Sequence, residues 1–229
     1  MIREAVRIYN DLMILVNFKT YSEGTGERAI KLAKICQKVA EETKAEIIPV
    51  VQVVDLWRVK QAVDIPLFVQ HVDLFEPGKH TGWMSLEAVI EAGAAGTLLN
   101  HSEHAVPPGS IKKVKSKKFG EFQIVVCAKT LGQAVRLVKL KPDFLAYEPP
   151  ELVGSKQTSV ATTHPKTIGK VVEIAKAKNV PVIVGAGIHS TKDVEISLKM
   201  GAVGILVATD VVLAKEPEKE LRELARVFV

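Results

Sequence analysis

Short Val/Ile/Leu-rich runs alternate with amphipathic stretches from one end of the chain to the other. Eight runs stand out, at 12–16, 46–51, 67–69, 96–99, 122–127, 144–146, 181–184 and 204–207. Most are apolar throughout rather than at every second position, the pattern of parallel strands covered on both faces. Between them the apolar residues recur at helical spacing. In 29–42, Ile30, Ala33, the stem of Lys34, Cys36 and Val39 fall near one face. The stretches 53–63, 86–92, 131–140, 167–178 and 194–200 read the same way. Gly93, Asn179 and Gly201 each end a helical stretch just before a strand, where a left-handed residue is needed. One strand plus one helix, repeated eight times in 229 residues, gives about 29 residues per unit. That suits a closed (β/α)8 barrel occupying 1–229 as a single domain, although an open doubly wound sheet fits the same alternation.

After the eighth run the pattern changes. Residues 209–215 form a short helical piece, Pro217 restarts the chain, and 218–228 forms a terminal helix. Barrels of this class often bind phosphate with the loops after strands seven and eight and a short extra helix. The loop after strand seven supplies Gly185-Ala186-Gly187, which permits close backbone approach to an anion and serves equally as a plain tight turn.

Composition narrows the classes. With 47% hydrophobic and 25% charged residues the chain is globular. No apolar run approaches the roughly 18 residues that span a bilayer, and the start shows no secretory pattern, so a cytoplasmic protein is expected. A net charge of +5 mildly favours anionic partners. Its densest part, Lys112-Lys113-Val114-Lys115-Ser116-Lys117-Lys118, lacks interleaved aromatics and is read as a solvated helix face, not a nucleic-acid patch. Cys36 and Cys127 are expected to be reduced, Cys127 as a packed thiol.

Chemistry in such a barrel sits where strands end. Strand one ends Asn17-Phe18-Lys19, strand four ends Asn100-His101-Ser102-Glu103, and strand six ends Tyr147-Glu148-Pro149-Pro150. An amide with an ammonium, an imidazole and a carboxylate therefore meet at one mouth. The set suits proton transfer beside the carbonyl of a phosphorylated substrate: Glu148 as base, His101 polarising the carbonyl, Lys19 stabilising negative charge. Taken singly, each also reads as a solvated loop residue, or for His101 as a local hydrogen-bonding group. His71, His80, His104, His164 and His189 fall in loops without an acidic partner at metal-ligand spacing. His101 and His104 are placed to share a helix face, yet no metal or cofactor is expected.

These strand ends carry a resemblance. Asn17-Phe18-Lys19-Thr20-Tyr21, Thr81-Gly82, Asn100-His101-Ser102-Glu103, the run from Tyr147 to Gly154, Gly185-Ala186-Gly187-Ile188 and Gly204-Ile205-Leu206-Val207-Ala208 follow in family order over nearly the whole chain. The ordered set resembles the triosephosphate isomerases, most closely the shortened archaeal form. The resemblance implies an aldose–ketose isomerase of glycolysis and gluconeogenesis that needs no cofactor. It makes Glu148 the base, His101 the electrophile, Lys19 and Asn17 the groups at phosphate and carbonyl, and Glu103 a member of the same network. It gives the backbone amides of Gly154, Gly187, Ala208 and Thr209 to the phosphate, and 149–156 to a lid. It also implies a homo-oligomer, a tetramer or a dimer, whose loop at about 71–84 reaches a neighbouring subunit.

The chain departs from the family at the lid end, Gly154-Ser155-Lys156, and after the Ser-Glu pair, His104-Ala105-Val106-Pro107-Pro108. Asp210 stands where small or neutral residues are commoner and would repel a phosphate unless it turns away as a helix-start residue. An isomerase of larger sugar phosphates would need a wider pocket. A non-catalytic phosphate binder would have no use for Asn17, Lys19, His101 and Glu148 together.

Overall fold

The eight apolar runs pair in chain order, all parallel, and the last closes on the first. The computed structural model describes residues 12–73, 75, 78–116, 120–155 and 158–228, with 113–116 as backbone alone. The first eleven residues of the expected single domain, and Lys117, Lys118 and Lys156, lie outside the described residues. The strands are β1 (Met13–Asn17), β2 (Glu46–Val51), β3 (Phe68–Val69), β4 (Gly96–Leu99), β5 (Gln123–Ala128), β6 (Phe144–Tyr147), β7 (Val182–Gly185) and β8 (Gly204–Val207). The closed ring excludes the open sheet that the alternation alone permitted.

Continuous apolarity follows from burial on both faces. Met13 and Leu15 of β1 point into the barrel with Ile48, Val50, Phe68, Leu98, Val125, Phe144 and Leu206. Their neighbours Ile14 and Val16 join the layer between strands and helices. Successive side chains of a strand leave on opposite faces, so a strand buried twice admits no polar alternation. The filled interior is a packed core rather than a pore.

The helices are α1 (Glu27–Thr43), α2 (Val53–Lys60), α3 (Leu86–Glu91), α4 (Pro108–Ser116), α5 (Leu131–Leu137), α6 (Val160–Thr163), α7 (Pro165–Lys176), α8 (Thr191–Lys199), α9 (Thr209–Val212) and α10 (Pro217–Ala225). The buried stripe of α1 is Ala29, Leu32, Ala33, Cys36 and Val39. It is rotated from the expected one: Ile30 is half-buried and Lys34 is exposed. Gly93, Asn179 and Gly201 take φ of 95°, 56° and 93°, as their place before strands requires. The extra helix α9 is shorter than 209–215, because Leu213 already leaves helical geometry. α4 carries the lysine run only as far as Ser116, and Lys112 is exposed.

All polar strand ends therefore emerge on one face. The tight left-handed turns that lead into β4, β7 and β8 lie on the other.

Candidate active site

Lys19 follows β1 in a left-handed backbone conformation, φ 49°, which costs a non-glycine residue about 1–2 kcal/mol. Two side chains hold it there. Asn17 Oδ1 accepts the Lys19 N–H at 3.0 Å, and Gln70 Nε2 donates to the Lys19 carbonyl at 2.8 Å. With Oδ1 so engaged, the Asn17 amide keeps its NH2 for a ligand. The ammonium of Lys19 lies 2.5 Å from Glu103 Oε1.

The same device sets His101. Asn100 is left-handed, φ 60°; its Nδ2 donates to the Cys127 carbonyl at 2.9 Å, and its Oδ1 accepts from the Val106 N–H at 3.1 Å. His101 is thereby aimed at the barrel mouth and buried to 6% exposure. Its Nδ1 accepts the Glu103 backbone N–H at 3.2 Å. A nitrogen that accepts carries no proton, so the ring N–H is on Nε2. The Glu103 carboxylate, 3.7 Å from Nδ1, adds charge to this side of the ring without replacing that bond.

Glu148 follows β6 and is 3% exposed. Its Oε1 lies 3.8 Å from His101 Nε2. Glu148 Oε2 and His101 Nε2 are both buried and without a hydrogen-bond partner among the described residues. A buried orphan of this kind costs about 1–3 kcal/mol, and two of them converge on one cavity. Behind the carboxylate, Gly185 leaves the space it needs: a Cβ there would stand 2.7 Å from Glu148 Cγ and Oε1. Cys127 packs beside Glu148; burial first, then the carboxylate charge, push its thiol well above the ordinary range.

Because misplacing a reacting group by about 1 Å can cost 10²-fold, Gly185→Ala is expected to lower kcat about 10²-fold by displacing Glu148. Steady-state kinetics check this, and activity within twofold of the parent would show that Glu148 does not depend on that space.

The cavity, of about 30 Å³, is lined by Asn17, Lys19, His101 and Glu148 on one side and by Gly154, Gly187, Ala208 and Thr209 on the other. Gly187 has φ 68°, and a Cβ on it would meet the Thr158 carbonyl at 2.3 Å, so only glycine brings this backbone so close. Tyr21 and Thr209 hydroxyls are 3.1 Å apart and tie the β1 loop to the start of α9. Val153 and Gly154, from the segment expected to be a lid, cover the cavity. Glu103 sits outside it, in an adjoining groove of about 400 Å³ that also shares Asn17, Lys19 and His101.

Other expectations change. His101 and His104 share no helix; both precede α4 in a turn, and the His104 ring stacks on His71 at 4.1 Å. Two loop histidines do have acidic partners, His71 with Asp73 at 3.1 Å and His189 with Asp210 at 3.0 Å. Burial pulls His71 below the usual imidazole range, and Asp73 opposes this. Among the described residues no group of three His, Cys, Asp or Glu side chains is placed to hold a metal. Asp210 starts α9 as expected and is also among the residues lining the cavity. Sequence reasoning gave no role to Gln70, Asn100 or Asp193. Asp193 is buried and gathers the Ser159 hydroxyl, the Ser190 hydroxyl and the N–H groups of His189 and Ser190. It thus fastens the start of α6 to the loop after β7.

The profile of the family described as triosephosphate isomerase matches residues 12–226. The chain belongs to the triosephosphate isomerase family. A triosephosphate isomerase from Methanothermus fervidus is 44% identical over 216 residues, covering 93% of this chain and 96% of that protein. One from Methanocaldococcus jannaschii is 39% identical over 219 residues, 94% and 99% of the two chains. One from Pyrobaculum calidifontis is 40% identical over 220 residues, 95% and 96%. The family expected from the strand ends, its isomerase class and its (β/α)8 barrel are all borne out. These three relatives are matched over nearly their whole length.

Proposed function

We propose that the chain interconverts dihydroxyacetone phosphate and D-glyceraldehyde 3-phosphate by proton transfer through an enediolate. The observation that carries this reading is the pair of buried, unpartnered atoms, Glu148 Oε2 and His101 Nε2, opening on one cavity beside Lys19. Glu148 takes the proton from one carbon and returns it to the next. His101 donates its Nε2–H to the substrate oxygens as negative charge moves between them. Lys19, with the NH2 of Asn17, stabilises that charge, and Glu103 orients the ammonium. The backbone amides of Gly154, Gly187, Ala208 and Thr209 face the phosphate. Binding energy gathered at the phosphate, remote from the reacting carbons, keeps the segment at Val153–Gly154 closed and water out. No residue in this scheme calls for a cofactor. The small phosphate end favours a triose over a larger sugar phosphate.

On this reading the protein serves glycolysis and gluconeogenesis, and two free thiols, Cys36 and Cys127, accord with a cytoplasmic location. Among the described residues no helix is long and apolar enough to cross a membrane. We also propose a homo-oligomer, with tetramer preferred to dimer. Val54 and Met84, both exposed, line the groove beside Lys19 and Glu103, and Trp57 and Trp83 are exposed as well. Exposed apolar surface of this kind marks interaction sites, and the loop at about 71–84 of a second copy suits the groove.

Isomerisation in deuterium oxide tests the chemistry. An enediolate exposed to a solvent-exchanging base incorporates deuterium at C2 of the aldehyde formed from unlabelled ketone. Turnover with complete retention of the original hydrogen under all conditions would point to an internal hydride shift and overturn the scheme.

A further inference from the structure

Asp210 is a second carboxylate on the cavity wall besides Glu148, and it follows directly on Ala208 and Thr209. A carboxylate beside the amides meant for a phosphate dianion opposes binding, at about 1 kcal/mol for charges a few ångströms apart in a wet site and more where water is excluded. The fold sets a histidine against it. His189 Nδ1 lies 3.0 Å from Asp210 Oδ2, with side chains 21% and 33% exposed. Both ring nitrogens of His189 are cut off from solvent and lack a directed hydrogen bond among the described residues, so the ring meets Asp210 by close approach alone. His189 is itself held: its backbone N–H donates to Asp193 Oδ2 at 3.2 Å, and Asp193 is anchored by Ser190 and Ser159.

We infer that His189 is a positioning residue for the phosphate end: its contact holds the Asp210 carboxylate away from the bound phosphate. The pair thereby sets the affinity for phosphate monoesters without entering the proton transfer. This rests on the phosphate site proposed above. It also accounts for a residue that would otherwise oppose the ligand. The two residues belong together: Asp210 without His189 is free to approach and repel the phosphate, and His189 without Asp210 leaves Nδ1 facing nothing.

The test uses the full chain and inorganic phosphate as the probe, measured as a competitive inhibitor, together with KM and kcat on dihydroxyacetone phosphate. Like-charge repulsion of this size corresponds to about fivefold in affinity. His189→Ala is therefore expected to raise the phosphate inhibition constant and KM by about fivefold, with kcat changed far less. The double variant His189→Ala/Asp210→Asn is expected to return both to near the parent values. If His189→Ala does not fold, His189→Asn, too short to reach Asp210, carries the same comparison. An unchanged inhibition constant in the single variant would overturn the inference. So would a double variant as weak as the single one, since His189 would then act by a route other than Asp210. A parent protein that neither isomerises the triose phosphate nor is inhibited by phosphate would instead overturn the underlying site.

Discussion

Glu148→Gln is expected to lower kcat by about 10²–10⁴-fold, the usual worth of a general base, with little change in KM or melting temperature. The substitution keeps the volume of a side chain that is 3% exposed and that fits against Gly185. It removes the capacity to accept a carbon proton. The new amide is uncharged, so it replaces a buried carboxylate whose Oε2 has no partner among the described residues by a group that is easier to bury, and folding is not the casualty. A coupled isomerase assay, with circular dichroism as the control for structure, separates chemistry from stability. A kcat within tenfold of the parent, in a folded protein, would remove Glu148 from the mechanism.

Lys19→Met strips a partly buried charge and is expected to cost about 10²–10³-fold in kcat, as loss of one preorganised electrostatic group does, together with a rise in KM. Methionine keeps the length of the stem, and the left-handed backbone remains braced by Asn17 and Gln70. The variant also frees Glu103, whose Oε1 had been 2.5 Å from the ammonium and whose Oε2 stands 3.7 Å from His101 Nδ1. Part of the loss could then come from a carboxylate newly facing the imidazole. The double variant Lys19→Met/Glu103→Gln separates the two: activity as low as in the single variant assigns the effect to the missing ammonium. Near-parent activity in either variant would show that the positive charge of Lys19 is dispensable.

What the chain disclosed in advance depended on how local the cause was. β2, β4 and β8 appear at the expected bounds because strands buried on both faces write themselves as unbroken apolar runs. β3 is only two residues long, yet its neighbours leave it one place in the ring. α4 falls on the lysine run expected to be a solvated helix face, but its start at Pro108 was not legible, since a helix with few apolar positions shows a weak periodic signal. α6, one turn long, is capped by the Ser159 hydroxyl on the Thr162 N–H, a signal too short to detect from apolar spacing. The residues proposed to react were legible because they follow strand ends directly. Their supports were not: Gln70 reaches Lys19 across 51 positions and Asn100 reaches Cys127 across 27. Such contacts depend on which way a side chain turns after the barrel has closed. The conflict at Asp210 was visible in advance, but not its resolution, because His189 meets it only when the loops after β7 and β8 come together.

The two cysteines carry a different consequence. Both are buried and free, and burial pushes both thiols up, Cys127 further through the charge of Glu148. Oxidants and electrophiles attack exposed thiolates, and these sulfurs are neither exposed nor ionised. The sulfur beside Glu148 is thus walled off by the very packing that positions that carboxylate. The proposed reaction has no cysteine brake: oxidants that silence enzymes with reactive thiols are expected to leave this barrel untouched.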